Sequence, residues 1–182
     1  MARGRPSKKQ QLLDTARWVF AENGYQGTSI DLVVQQAGVS KPTVYNNFPT
    51  KQALLQALLT QLIDELETAR TEILKSAEDP VKAVFNTYIR LTAQQEYLMM
   101  YRILCGEQYK LDEATRLQIL AFDQQLYDDC VAELQGAENV IPALVLMFCR
   151  DQVLGQALVA SGDAELPTVE QLECQYNALI TT

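Results

Sequence analysis

The sequence predicts an all-α protein of about nine helices, with a small N-terminal three-helix part and a larger helical body. Three observations predict it. Apolar residues recur at spacings of three and four along nearly the whole chain, the period of a helix face. No stretch shows the sustained apolar/polar alternation, bounded by hairpin turns, that marks a half-buried strand. The breaks between periodic stretches carry helix stop and start residues: Asn23-Gly24, Gly38, Pro49-Thr50, Asp79-Pro80 and Pro167-Thr168. With 182 residues, 48 % of them hydrophobic, the chain is long enough to bury a sizeable core.

The first helix begins after Ser7, an N-cap, and carries Leu12, Ala16, Val19 and Phe20 on one face until Asn23-Gly24 stops it. The second starts at Thr28 or Ser29 with the stripe Ile30, Val33, Val34, Ala37, and Gly38 supplies the positive φ that a sharp turn needs. Ser40 caps a short third helix with Pro42 in its first turn, where a missing N–H does no harm, and Val44 and Phe48 face inward. A long fourth helix follows from about Lys51 to Lys75, striped by Leu55, Leu58, Leu62, Leu66, Ala69 and Ile73. Asp79-Pro80 opens the fifth, Glu96 to Leu104 forms the sixth up to a break at Gly106, and the seventh covers Glu113 to Leu134. The eighth, Val140 to Ala160, is apolar on nearly every side in its first half, which marks a central or interface helix. Pro167-Thr168 opens the ninth, with Val169, Leu172, Tyr176, Leu179 and Ile180 on one side.

Charge divides the chain unevenly. Residues 1–51 hold Arg3, Arg5, Lys8, Lys9, Arg17, Lys41 and Lys51 against Asp14, Glu22 and Asp31, or about +4, which leaves about −12 for the rest of a chain whose formal charge is −8. Such asymmetry fits an electropositive head on an acidic body, or a solvated basic tail with no partner. No run of 18 or more apolar residues is read in the sequence, and the charged start has no apolar stretch behind it, so no membrane partner is expected and the cytoplasm, at the nucleoid, is the expected location. Cys105, Cys130, Cys149 and Cys174 lie at wide spacing without a CxxC, which suggests reduced, mostly buried thiols. The chain has no histidine, which removes His-assisted nucleophiles and His-containing metal sites. No Gly-rich phosphate loop or paired carboxylate spacing points to an enzyme, and no cofactor or metal is expected.

Residues 28–48 meet the demands of a helix-turn-helix. Val39, Val44 and Phe48 pack inward, which leaves Lys41, Pro42, Thr43, Tyr45, Asn46 and Asn47 on an open side that is short, polar and without acid. Chemistry assigns the roles. Lys41 can donate to guanine O6/N7 or to phosphate, Pro42 and the Thr43 methyl can touch a thymine methyl, and Asn46 can read a base edge. Thr28, Ser29, Tyr45 and Lys51 are placed for phosphate, aided by the free N–H groups of nearby helix N-termini. Arg3-Gly4-Arg5-Pro6 adds charge that can follow the backbone or enter the minor groove.

These residues carry a resemblance. Gly24-Tyr25-Gln26-Gly27-Thr28-Ser29-Ile30, then Ala37 through Tyr45, then Phe48 and Lys51, resemble the N-terminal signature of the tetracycline-repressor (TetR) family over about residues 8 to 60. The resemblance implies an Ω-shaped homodimer, whose last two helices form a four-helix interface and whose body holds a small-molecule effector that changes head separation. It implies base contact by Lys41, Pro42, Thr43 and Asn46, and phosphate contact by Ser29, Tyr45 and Lys51. Three positions depart from the pattern. Asp31 stands where a basic or polar residue is common, Val34 where Ala is common, and Pro49 where Lys or Arg follows the aromatic.

The expected division is therefore residues 1–51 as the DNA-binding part and 52–182 as the effector-binding and dimerisation part. Partners would be a double-stranded, palindromic operator, a second copy of the chain and a small-molecule effector, with repression relieved by the effector. Tyr88, Tyr97, Met100, Tyr101, Phe122, Tyr127 and Phe148 are candidates for an effector pocket, because aromatic and Met side chains line adaptable apolar cavities. Leu144, Phe148, Gly155, Leu172, Tyr176 and Leu179 are candidates for the dimer interface, with filling of the chain's own core as the alternative. Arg90, Arg102 and Arg150 stand in apolar surroundings, to pair an effector carboxylate or an internal acid such as Asp151 or Glu107. Cys105 or Cys149 would be redox-sensitive only if Arg102 or Arg150 stabilised its thiolate. A competing reading keeps the helix-turn-helix as a relic on a helical adapter or dimerisation protein; Asp31 and the acidic body are its support.

Overall fold

The computed structural model of the chain describes residues 7–76, 78–160 and 165–181. Among them lie nine helices and no strand. They are α1 (Lys8–Gly27), α2 (Ile30–Ala37), α3 (Lys41–Asn47), α4 (Lys51–Ser76), α5 (Pro80–Thr92), α6 (Gln95–Glu107), α7 (Glu113–Leu134), α8 (Pro142–Val159) and α9 (Val169–Ile180). A 3-10 turn, Gln108–Lys110, follows α6, and the middle of α8, Arg150–Gly155, winds as a π-helix.

The starts are where the cap residues put them. The side chains of Ser7, Ser29, Ser40 and Asp79 each accept the backbone N–H three residues on, and Thr168 forms a reciprocal capping box with Gln171. Two ends differ from expectation. Gly24 adopts φ 66 and ψ −172, but the chain then takes one more helical turn to Gly27, so the glycine kinks α1 instead of ending it. Helix α6 runs past Gly106 to Glu107, because a lone glycine weakens a helix by about 1 kcal/mol without stopping it.

The chain divides into two compact units. The first comprises Met1–Ile63 with Met99–Ile119. Its core gathers Leu12, Ala16, Val19 and Phe20 of α1, Val33 of α2, Val44 of α3 and Leu54, Leu55 and Leu58 of α4, all buried. Phe48 closes this core behind α3. The C-terminal residue of α6, Glu107, accepts the backbone N–H groups of Tyr25 and Gln26 in the turn after the kink. Gly24 is required by its backbone angle, and a Cβ there, 2.5 Å from Glu107 Oε1, would push that carboxylate off the turn.

The second unit comprises Asp64–Leu98 with Leu120–Thr182. Helix α5 runs through it with Val84, Phe85, Tyr88 and Leu91 buried, and packs on α8 and α9. Tyr176 meets Phe85 and Phe148 edge-on, the arrangement that ring quadrupoles favour, and the two phenylalanines are tilted against each other, with centroids 5.6 to 5.9 Å apart. By length and composition α8 is apolar enough to cross a membrane, at a mean hydropathy of 1.2 over Pro142–Val159. One third of it is buried in this unit, at Val145, Leu146, Cys149, Val153, Leu154 and Ala157.

Candidate nucleic-acid interface

The turn between α2 and α3 is built on Gly38, whose φ 61 and ψ 36 are left-handed. Its N–H returns to Gln35 and that of Val39 to Val34, while Gln11 of α1 donates to the Ala37 carbonyl at 2.8 Å. These bonds fix the angle at which α3 leaves. Burial of Val44 and Phe48 then sets its rotation, so Lys41, Pro42, Tyr45 and Asn46 are exposed together, with Thr43 half-buried beside them. Tyr45 keeps 44 % of its surface open. An exposed aromatic next to buried Val44 is a surface arranged for contact rather than for packing. Asn47 does not belong to the open side, because its amide turns back to the Thr43 carbonyl at 2.8 Å.

Charge on this face is held by a pair that sequence spacing did not reveal. Lys41 Nζ lies 2.7 Å from Asp31 Oδ1 of α2. That hydrogen bond, and then the carboxylate's charge, raise the lysine's pKa, so it is fully protonated.

The turn before α2 changes the parts assigned to two residues. Thr28 is 1 % exposed and its hydroxyl donates to the Gly24 carbonyl at 2.7 Å, so its side chain locks the turn and is closed to any phosphate. Lys51, at the start of α4, gives hydrogen bonds to the carbonyls of Tyr25 and Thr28 at 2.8 and 2.9 Å and lies 4.2 Å from the Tyr25 ring centroid. Burial lowers its pKa, against the raising charge of Glu107. Two of its three donors thus hold the turn, and one remains to point outward. Ser29 is exposed and accepts only the Leu32 N–H, which leaves its own O–H to donate. Arg3-Gly4-Arg5-Pro6 lies outside the described residues.

The fold and this face define a helix-turn-helix protein with a helical body. Residues 12–58 match the model of the family described as bacterial regulatory proteins, tetR family. It is 32 % identical over 141 residues to the HTH-type transcriptional regulator RutR of Escherichia coli K12, covering 76 % of this chain and 60 % of that protein. Among solved structures, a TetR family transcriptional regulator from Agrobacterium tumefaciens superposes with a TM-score of 0.75 at 21 % identity, over 96 % of each chain. AibR in complex with isovaleryl coenzyme A and operator DNA superposes with a TM-score of 0.68 at 20 % identity, over 96 % of each chain. The family and these relatives are regulators, not enzymes.

Of the pocket candidates, Met100 and Tyr101 are buried in the first unit. In the second, Tyr88, Tyr97 and Phe122 are buried, with Tyr97 and Phe122 edge-on at 6.3 Å, whereas Tyr127 is half-buried and Phe148 joins the Phe85 and Tyr176 rings. Of the interface candidates, Leu172 and Tyr176 are buried in the unit's own core by α5, so they have no surface left to give a second copy. Leu144, Phe148 and Gly155 are half-buried and Leu179 is exposed. The apolar side chains open to water on and beside α8 and α9 are instead Ile141, Met147, Val159, Leu179 and Ile180.

Arg150 pairs with neither Asp151 nor Glu107 but with Asp123 of α7, at 2.7 Å. Asp151 accepts from Gln152 and Glu107 from the turn of the first unit. Cys130 and Cys149 are buried, and burial pushes both thiols up, Cys130 to about 12, so neither is a ready thiolate. Cys105 and Cys174 are exposed, contrary to the expectation of mostly buried thiols. The residue that the sequence reading missed is Arg70. It stands four residues from both Leu66 and Leu74, on the apolar face of α4, and is 3 % exposed. A cation at that position of the stripe was the available signal.

Proposed function

We propose that this chain is a DNA-binding transcriptional regulator, a repressor released from a palindromic operator when a small-molecule effector binds its body. Residues 1–51 read the DNA, and 52–182 receive the effector and dimerise. The observation that carries the reading is the rotation of α3: with Val44 and Phe48 buried, Lys41, Pro42, Tyr45 and Asn46 stand open together, Lys41 paired with Asp31 of α2. Lys41, Pro42, Thr43 and Asn46 go to the bases, and Ser29, Tyr45 and the remaining donor of Lys51 to phosphate. Thr28 serves the same contact indirectly, through the turn it locks. One such helix reads a few base pairs, so a homodimer engages two half-sites about 34 to 36 Å apart. AibR, alike in fold, was solved with both an acyl coenzyme A and operator DNA, which supports an effector in the body. The match spans 60 % of the length of RutR, and a DNA regulator of this kind works in the cytoplasm.

Fluorescence anisotropy with the DNA upstream of the protein's own gene tests this. Affinity falls about a thousandfold or more between 50 and 200 mM salt if six or more phosphates are neutralised. Asn46→Ala, at an exposed position that leaves the fold intact, loses about tenfold and relaxes preference at one base pair. Salt-insensitive binding with no effect of Asn46→Ala or Tyr45→Ala would instead favour the adapter reading, in which Asp31 keeps Lys41 from any phosphate.

A further inference from the structure

The second unit contains buried donors that its own fold leaves unanswered. Arg70 of α4 gives Nη2 to Asp129 Oδ2 at 2.7 Å, while its Nε and Nη1 have no hydrogen-bond partner. Its guanidinium lies 5.8 Å from the centroid of the Phe122 ring. Arg150, the first residue of the π segment, gives Nη2 to both carboxylate oxygens of Asp123, and its buried Nε is unanswered too. Tyr88 and Thr92 stand one turn apart on α5, both buried, and neither hydroxyl is hydrogen-bonded. The groups share one neighbourhood. The Tyr88 hydroxyl sits beside Arg150, and Asp123, which holds Arg150, follows the Phe122 that Arg70 covers on α7.

Native folds satisfy buried polar groups, and those left over point to a missing partner. Every unanswered nitrogen here is a donor, and burial keeps the Tyr88 hydroxyl protonated, so the partner is an acceptor. A guanidinium fork matches a planar carboxylate. Asp123 and Asp129 already neutralise the two arginines formally, so an anion here is held by the unanswered donors alone, which a single carboxylate satisfies at less cost than a dianion such as phosphate. Tyr97 and Phe122, edge-on beside the cluster, offer an apolar wall. We propose that the second unit binds a small monocarboxylate with an apolar body, its carboxylate received by Arg70, Arg150 and the Tyr88 hydroxyl. This rests on the effector reading above and gives that effector a chemical class.

The test uses the full chain with butyrate, octanoate, benzoate and phenylacetate, each beside its primary amide, and with inorganic phosphate, read by calorimetry and thermal unfolding. At least one carboxylate binds saturably and raises the unfolding midpoint, while its amide and phosphate do not. Tyr88→Phe, which removes only a hydroxyl, weakens that binding about tenfold, as loss of one charge-assisted hydrogen bond would. Arg70→Met combined with Asp129→Asn removes the pair without leaving a lone buried charge and abolishes binding; if that variant does not fold, Tyr88→Phe decides. Equal binding of acid and amide, no response to any probe, or indifference to Tyr88→Phe overturns the proposal. DNA affinity measured with and without the bound carboxylate separates the two readings. Saturable binding that leaves DNA affinity unchanged keeps the site and overturns the effector reading, whereas an amide that binds and releases DNA does the reverse.

Discussion

Lys41 and Asp31 face each other across the helix-turn-helix at 2.7 Å, and in the free protein each answers the other's charge. On DNA the lysine must leave this partner or share it, and Asp31 brings a negative charge near phosphate. Asp31→Asn is therefore expected to tighten DNA binding several-fold and to steepen the dependence of log affinity on log salt by about one, since one more phosphate is neutralised. Anisotropy titrations at several salt concentrations check this, and an unchanged slope would mean that Lys41 reads a base or nothing. Both residues are visible in the sequence, but their pairing is not, because it depends on the crossing of α2 and α3. The same limit applies to Thr28 and Lys51. Their hydroxyl and ammonium are legible as phosphate donors, while the carbonyls of the kinked turn that take them exist only once Gly24 has bent the chain.

Helix α7 shows what local signals do and do not give. Its span from Glu113 is legible from periodicity, but its cap, Asp112, is identified by geometry: Oδ1 accepts the Thr115 N–H at 2.8 Å. That bond, the first cause, holds the carboxyl below its usual value of 3.8. Because the folded value lies below the unfolded one, the cap's benefit is fully present above pH 3.8 and is lost as pH falls through the folded value. Asp112→Ala is expected to cost about 1 kcal/mol at neutral pH, measured by urea denaturation, and the difference from the parent should vanish in strong acid. Helix α8 makes the complementary case. Its apolar composition announces a central element, whereas the π turn at Arg150–Gly155, which carries Arg150 toward Asp123, has no counterpart in the residue pattern.

Over the whole molecule, Met147 is 69 % and Val159 83 % exposed, with Ile141, Leu179 and Ile180 also open. Side chains of this kind on two adjoining elements are what a second copy of the chain would cover. If the proposed dimer forms there, Met147→Glu places a charge in the covered face and yields monomers in analytical ultracentrifugation, with a loss of affinity for a two-half-site operator but little for a single half-site. A variant that stays dimeric would move the interface elsewhere. The sequence by itself determined the all-α class, the helix starts and the helix-turn-helix, because caps, glycine turns and 3.6-residue periodicity act over a few residues. Which side chains stay open and which fill the core was decided by tertiary structure: Leu172 and Tyr176 share the ninth helix's stripe with Leu179, yet only the first two are buried. Arg70 is the sharpest instance. Periodicity puts it on the buried face of α4, but only the approach of α7 supplies Asp129 to half its guanidinium and leaves the other half waiting for a partner.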